Sequence, residues 1–111
     1  MRDFRGWSAQ ERQESYAKTR QAITDGLIPP ARRCKRCGQT EGLVQYHNED
    51  YSDPIKYLEP LCYRCHMMLH SEHLNPEAVT QYWREVFTEG KRYPPVYRPS
   101  YHKIMYEHGV F

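Results

Sequence analysis

Hydrophobic positions are sparse at the start of this 111-residue chain and become regular further along. Ser8 through Thr24 reads as a helix: Ser8 followed by Glu11 is a capping-box signature, and Asp25-Gly26 then Pro29-Pro30 stop the run. Its apolar face is thin, with Tyr16, Ile23 and Leu27 at helical spacing and charges nearly everywhere else, which places it on the outside of the domain. Leu43-Val44-Gln45-Tyr46 has the make-up of a short strand, His47 to Pro54 is polar and turn-rich, and Ile55 to Leu61 supplies the returning strand. Cys62 to about Ser71 reads as a helix. Asn75 caps another, with Pro76 in its first turn. Val79, Tyr82, Trp83, Val86 and Phe87 then form a stripe assigned to packing, and Gly90 ends it. Pro94, Pro95 and Pro99 stand among four tyrosines in the tail, which argues against a helix before residue 100. No internal repeat or second domain is visible.

Composition sharpens this picture. A chain of this length buries a modest core, and small domains often depend on a metal or on cross-links. Hydrophobic residues make up 39%, charged residues 27% and aromatic residues 14%, with ten tyrosines. The opening Met-Arg-Asp-Phe-Arg-Gly-Trp-Ser has no apolar core, so no secretory signal is expected, and no run approaches the ~18 apolar residues of a membrane span. The expected compartment is the cytoplasm, with no membrane partner. There thiols stay reduced, and paired cysteines serve as metal ligands.

The net charge of +2 conceals an uneven distribution. Residues 1–37 hold nine Lys/Arg against four Asp/Glu, residues 38–90 three against nine, and residues 91–111 four against one. Charge blocks are most simply solvated faces. Functionally, basic flanks suit phosphate backbones and an acidic middle suits divalent cations.

The cysteines stand as Cys34-x-x-Cys37, a gap of 24 residues, then Cys62-x-x-Cys65. Two such knuckles bring four thiolates into the tetrahedron that structural zinc prefers; the competing reading is buried or redox-active thiols. A four-thiolate site has no open position, so function must come from what the zinc positions. His47 sits at the end of the first strand, His66 follows Cys65 directly, and His70 lies one helical turn beyond His66. The zinc clamp is expected to draw His47 and His66 together, where a histidine beside a bound cation and a phosphate can act as general base. His70 serves equally well as a supporting or capping residue, and His73, His102 and His108 are expected on the surface.

Three segments then carry a resemblance. Cys34-Lys-Arg-Cys-Gly, Tyr46-His47-Asn-Glu-Asp-Tyr-Ser-Asp-Pro-Ile and Leu61-Cys-Tyr-Arg-Cys-His-Met-Met-Leu-His together resemble the zinc-containing HNH endonuclease motif, in the variant of small phage and prophage proteins. The resemblance covers residues 32 to 73. It implies a small zinc-stapled ββα-metal core. With the N-terminal and C-terminal helices read from the residues outside it, the chain is expected to be α+β: residues 1–31 a helical arm, 32–73 the zinc/HNH core, 74–90 an amphipathic helix and 91–111 a basic Pro/Tyr-rich tail.

It further implies that His47 is the general base and that His66 helps to hold a catalytic Mg²⁺, Mn²⁺ or Ni²⁺, for which Asp50 and His70 are the further candidate ligands that the residues offer. The substrate it implies is DNA, cut or nicked at a phosphodiester. Two positions depart from the family: Tyr46 stands where a His or Asp ligand is usual, and Tyr57 falls near the middle asparagine. A phenol is a poor ligand for a hard divalent cation, so Asp50 or Glu49 is the expected replacement. The alternative is a catalytically inactive zinc module that grips nucleic acid through Arg32, Arg33 and Arg36, or a protein through the tail. Asp50 also has a simple structural role open to it, as a turn former.

Overall fold

The structure, a computed structural model, describes residues 6–53 and 55–111. The first five residues of the helical arm, and Pro54 of the Asp-Tyr-Ser-Asp-Pro segment, lie outside the described residues. The described residues are α+β: α1 (Ala9–Thr24), β1 (Val44–Asn48), β2 (Leu58–Cys62), α2 (Tyr63–His70), α3 (Pro76–Trp83) and α4 (Tyr101–Glu107). β1 and β2 form a two-stranded antiparallel sheet. No described helix is long and apolar enough to cross a membrane. Contacts divide the chain into two units, one of the residues up to Pro30 with Tyr46–Glu59, the other of Ala31–Gln45 with Pro60–Phe111.

In the first unit, α1 is defined at both ends by its own sequence. Ser8 Oγ accepts from the Glu11 amide at 3.1 Å, and the Ser8 amide donates to Glu11 Oε1 at 3.2 Å, completing the capping box. At the other end Gly26 takes φ +76, and the Gly26 and Leu27 amides donate back to Ile23 and Ala22 carbonyls. That is the Schellman ending that glycine permits.

The buried face is not the expected one. Ser15, Thr19 and Ala22 are buried, whereas Tyr16 and Leu27 are exposed. The reason is the loop that covers the helix. Asn48 Nδ2 donates to Ser15 Oγ at 3.0 Å, and only small side chains let a polar loop approach this closely.

That loop is held by its own carboxylates and amides. Asn48 Oδ1 accepts from the Asp50 amide, Asp50 Oδ1 from the Ser52 amide and hydroxyl, and Asp53 Oδ1 from the amides of Ile55 and Lys56. The last pair corrects the expected strand at Ile55. Those amides are bound in a turn and unavailable to a ladder, so β2 begins only at Leu58. β1 correspondingly runs past Tyr46 to Asn48.

The second unit has an ordinary apolar core. Leu61, Met68, Leu69, Val79, Tyr82, Val86, Ile104, Met105 and Val110 are buried together with the cysteines. Asn75 Oδ1 accepts from the Ala78 amide and Pro76 opens α3, as the sequence predicts. The helix then widens into a π turn over Arg84–Thr88, with the Glu89 amide bonded to the Arg84 carbonyl. One extra residue in the turn rotates Phe87 away from the core, so it is 59% exposed and stacks on Trp83 instead of continuing the buried stripe.

The tail is folded against this core. The Leu43 amide donates to the Val96 carbonyl at 2.7 Å, and a side chain at Gly42 (φ +72) would sit 2.5 Å from that oxygen, so the crossing requires glycine. α4 begins after Pro99, as expected, and buries Ile104 and Met105. The tail's apolar groups thus serve the unit's own core, while Tyr97 and Tyr106 remain exposed.

Candidate metal centre

The two cysteine knuckles are built differently. In the first, the Gly38 amide donates to the Cys34 carbonyl at 2.9 Å with Gly38 at φ +81, and the Cys37 amide points to Cys34 Sγ at 3.5 Å. In the second, Cys62 is itself the N-cap of α2, its sulfur accepting from the Cys65 amide at 3.4 Å. β2 therefore delivers Cys62 and the first turn of α2 delivers Cys65. The Lys35 amide, bonded to the Pro60 carbonyl at 2.8 Å, ties the first knuckle to the end of β2.

The four sulfurs lie within 4.8 Å of one another, and all but Cys37 belong to buried residues. Cys37 and Cys62 sulfurs approach to 3.6 Å, and Cys65 Sγ is 3.1 Å from the Tyr82 hydroxyl. The thiols compete for negative charge. Hydrogen bonds from Cys37, Cys62 and Cys65 draw Cys34 far below the usual thiol range, while interactions with Cys34 chiefly push Cys62 and Cys65 far up. Cys37, raised by Cys34 but lowered by Cys62 and Cys65, falls to about 7. Burial and the neighbouring thiols push the Tyr82 phenol up, and its hydroxyl shares a hydrogen bond with Cys65 Sγ. Four clustered thiolates need a cation to coexist, and four converging sulfurs are a donor set that supplies such a site.

Within the same unit, His66 and His70 occupy one face of α2, with their Nε2 atoms 3.1 Å apart. His66 Nδ1 is 3.3 Å from Gln45 Oε1 on β1. With the amide oxygen accepting, the proton of a neutral His66 lies on Nδ1 and its Nε2 lone pair faces His70. Gln45 is thus an orienting residue that the sequence reading passed over as part of a strand. In the other unit, His47 is buried at the end of β1 with Nε2 3.5 Å from Glu49 Oε2. Asp50 is engaged in its turn through Oδ1, so the carboxylate beside His47 is that of Glu49.

Tyr46 has a structural task. Its hydroxyl donates to the Pro29 carbonyl at 2.6 Å, within the same unit. Of the three candidate arginines, Arg32 and Arg33 are exposed, and the Arg36 guanidinium lies over the Trp83 ring at 4.7 Å. His73 and His102 are exposed as expected, but His108 is not a surface group. Its Nε2 accepts from Arg64 Nη1 at 2.8 Å, and it packs edge-on against Tyr82 and Tyr93. Burial, then the adjacent Arg64 charge, lower it to about 4. Only the spacing from Arg64 across the fold reveals this, and nothing local to His108 signals it.

Family models, curated proteins and solved structures give no match to the chain.

Proposed function

We propose that this chain is a zinc-stapled, HNH-type, metal-dependent endonuclease or nickase acting on DNA phosphodiesters. Cys34, Cys37, Cys62 and Cys65 would hold one structural zinc, since four sulfur donors match its preference and leave no open position. The observation that carries the reading is the His66–His70 pair, with His66 oriented by Gln45 so that Nε2 is the ligating nitrogen. Two imidazoles suit Mn²⁺ or Ni²⁺ better than Mg²⁺, and an ion bound there would offset charge on a scissile phosphate and its leaving oxygen.

In the HNH motif that residues 32 to 73 resemble, the second residue of the pair at 46–47 is the general base, and His47 is buried beside Glu49. His47 is therefore the proposed general base. It takes a proton from water as the water oxygen bonds to phosphorus and the phosphorus–leaving-oxygen bond breaks, with that oxygen acquiring a proton from solvent. Glu49, next to His47 Nε2, favours the protonated imidazole that forms.

A second reading, a zinc module that binds nucleic acid without cutting, is favoured by Tyr46, whose hydroxyl is committed to the Pro29 carbonyl where the family supplies a ligand. Plasmid nicking with Mg²⁺, Mn²⁺ and Ni²⁺ separates the two. The nuclease reading expects cleavage by the wild type that falls by on the order of a hundredfold or more in His47→Ala, with zinc content unchanged. Salt-dependent DNA binding without cleavage in any of the three metals would leave only the second reading.

A further inference from the structure

We propose that the second unit carries a binding track for single-stranded nucleic acid across the face of its first cysteine knuckle, separate from the histidines. The track starts in a cleft of about 750 Å³ lined by the cationic side chains of Arg33, Lys35, Arg36 and Arg92, with no carboxylate in its wall. Arg33, Lys35 and Arg92 bring positive charge to a wall they share with Cys34 and Cys37, and a bound phosphate lowers the repulsion that remains among the cations. The opening is too large for one phosphate and suits successive phosphates of a strand.

Its walls are held in place. The Lys35 amide is bonded to Pro60, and Arg92 Nη1 donates to the Val86 and Lys91 carbonyls at 3.1 and 2.9 Å. Lys35 therefore projects from anchored backbone, and the Arg92 guanidinium is itself held by two carbonyls.

The cleft leads directly to an aromatic surface. Arg36, one of its lining residues, stacks over Trp83. Trp83 in turn stacks on Phe87 with ring centroids 5.6 Å apart and planes inclined by 19°. Phe87 is exposed because the π turn at Arg84–Thr88 swings it out of the core. A cationic groove beside an exposed ring that is backed by a second, nearly parallel one is the combination that holds unpaired bases: phosphates lie along the groove and a base stacks on the outer ring, Phe87. In a duplex the base faces are already stacked, so this surface selects single strands. Arg32 is exposed but does not line the cleft, so it stands outside the track.

The inference extends the nuclease reading by naming where the strand lies, yet it rests on the second unit alone. The test uses the metal-loaded full chain and fluorescence anisotropy with labelled oligo-deoxythymidine, oligo-uridine and a mixed-sequence duplex, over a range of salt. Wild type should bind a single strand more tightly than the duplex, and the two oligonucleotides show whether the sugar matters. Lys35→Ala and Arg33→Ala should each reduce the logarithmic salt slope by roughly 0.7. Phe87→Ala should weaken single-strand binding about tenfold with the slope unchanged. Arg32→Ala should leave binding as it is.

All of these side chains are exposed, and retained metal content verifies that each variant is folded. Preference for duplex, a Phe87→Ala variant that binds like wild type, or an Arg32→Ala loss equal to that of Lys35→Ala would each overturn the proposal. So would competition by inorganic polyphosphate as strong as by oligo-deoxythymidine. Nicking lost in His47→Ala with Lys35 and Phe87 silent would sink this inference alone; the expected binding pattern without nicking would sink the nuclease reading alone.

Discussion

The two units of this chain are held together by opposite means. The second buries leucine, methionine, valine, isoleucine and tyrosine side chains around four thiols. The first buries Ser15, Thr19 and Ala22 on α1 under a loop fastened by Asn48, Asp50 and Asp53. An apolar core gains free energy in proportion to the area it removes from water, whereas each hydrogen bond exchanged with solvent nets only about 1 kcal/mol. A region built mainly on hydrogen bonds depends on geometry at each of them. It lends itself to presenting a loop, while the apolar unit lends itself to holding a metal rigidly.

Breaking the sulfur cluster should have the largest effect. In Cys34→Ser the proposed zinc should be lost and the second unit should unfold, because metal binding to such sites contributes folding free energy on the order of 10 kcal/mol. Metal analysis with circular dichroism checks this; a metal-free yet fully helical variant would refute the zinc clamp. Next, Asn48→Ala should cost roughly 1–3 kcal/mol by leaving the buried Ser15 hydroxyl and the Asp50 amide without their partner. Denaturant unfolding should show that loss while zinc content stays at the wild-type level, which would demonstrate that the units respond separately.

Acid should act on the second unit through His108. Its folded value of about 4 lies below the unfolded value near 6.5, so the folded state prefers the neutral ring. Stability from this group is present above the unfolded value and is lost as pH falls through the folded one. Arg64 and Lys91 oppose protonation there, and Glu107 and Glu85 favour it. His108→Gln, which keeps an acceptor for Arg64, should therefore lose less stability than wild type between pH 6.5 and 4 in urea titrations at matched zinc occupancy. The smallest effect is expected at Tyr46→Phe, about 1 kcal/mol for the hydroxyl's bond to Pro29, with nicking and zinc content unaltered. A large loss of cleavage in that variant would give the hydroxyl a part in the chemistry that its partner does not suggest.

Sequence alone determined what short-range chemistry controls. Ser8 with Glu11, Asn75 with Pro76, and Gly26 and Gly90 end their helices through atoms a few residues apart, so their signals are complete within one turn. The Cys-x-x-Cys pairs likewise announce the sulfur cluster, because metal-ligand spacing is local.

Tertiary structure decided everything that depended on a distant partner. Which face of α1 is buried was set by Asn48, thirty-three residues away from Ser15, and hydrophobicity pointed to the wrong side. His108 became half-buried where Arg64 reaches it, and Gln45 became an orienting residue because α2 brings His66 to it. Phe87 left the stripe through a single widened turn that periodicity cannot register. In each case the deciding energy is a contact formed only after the chain has folded back, and no neighbouring residue carries a trace of it.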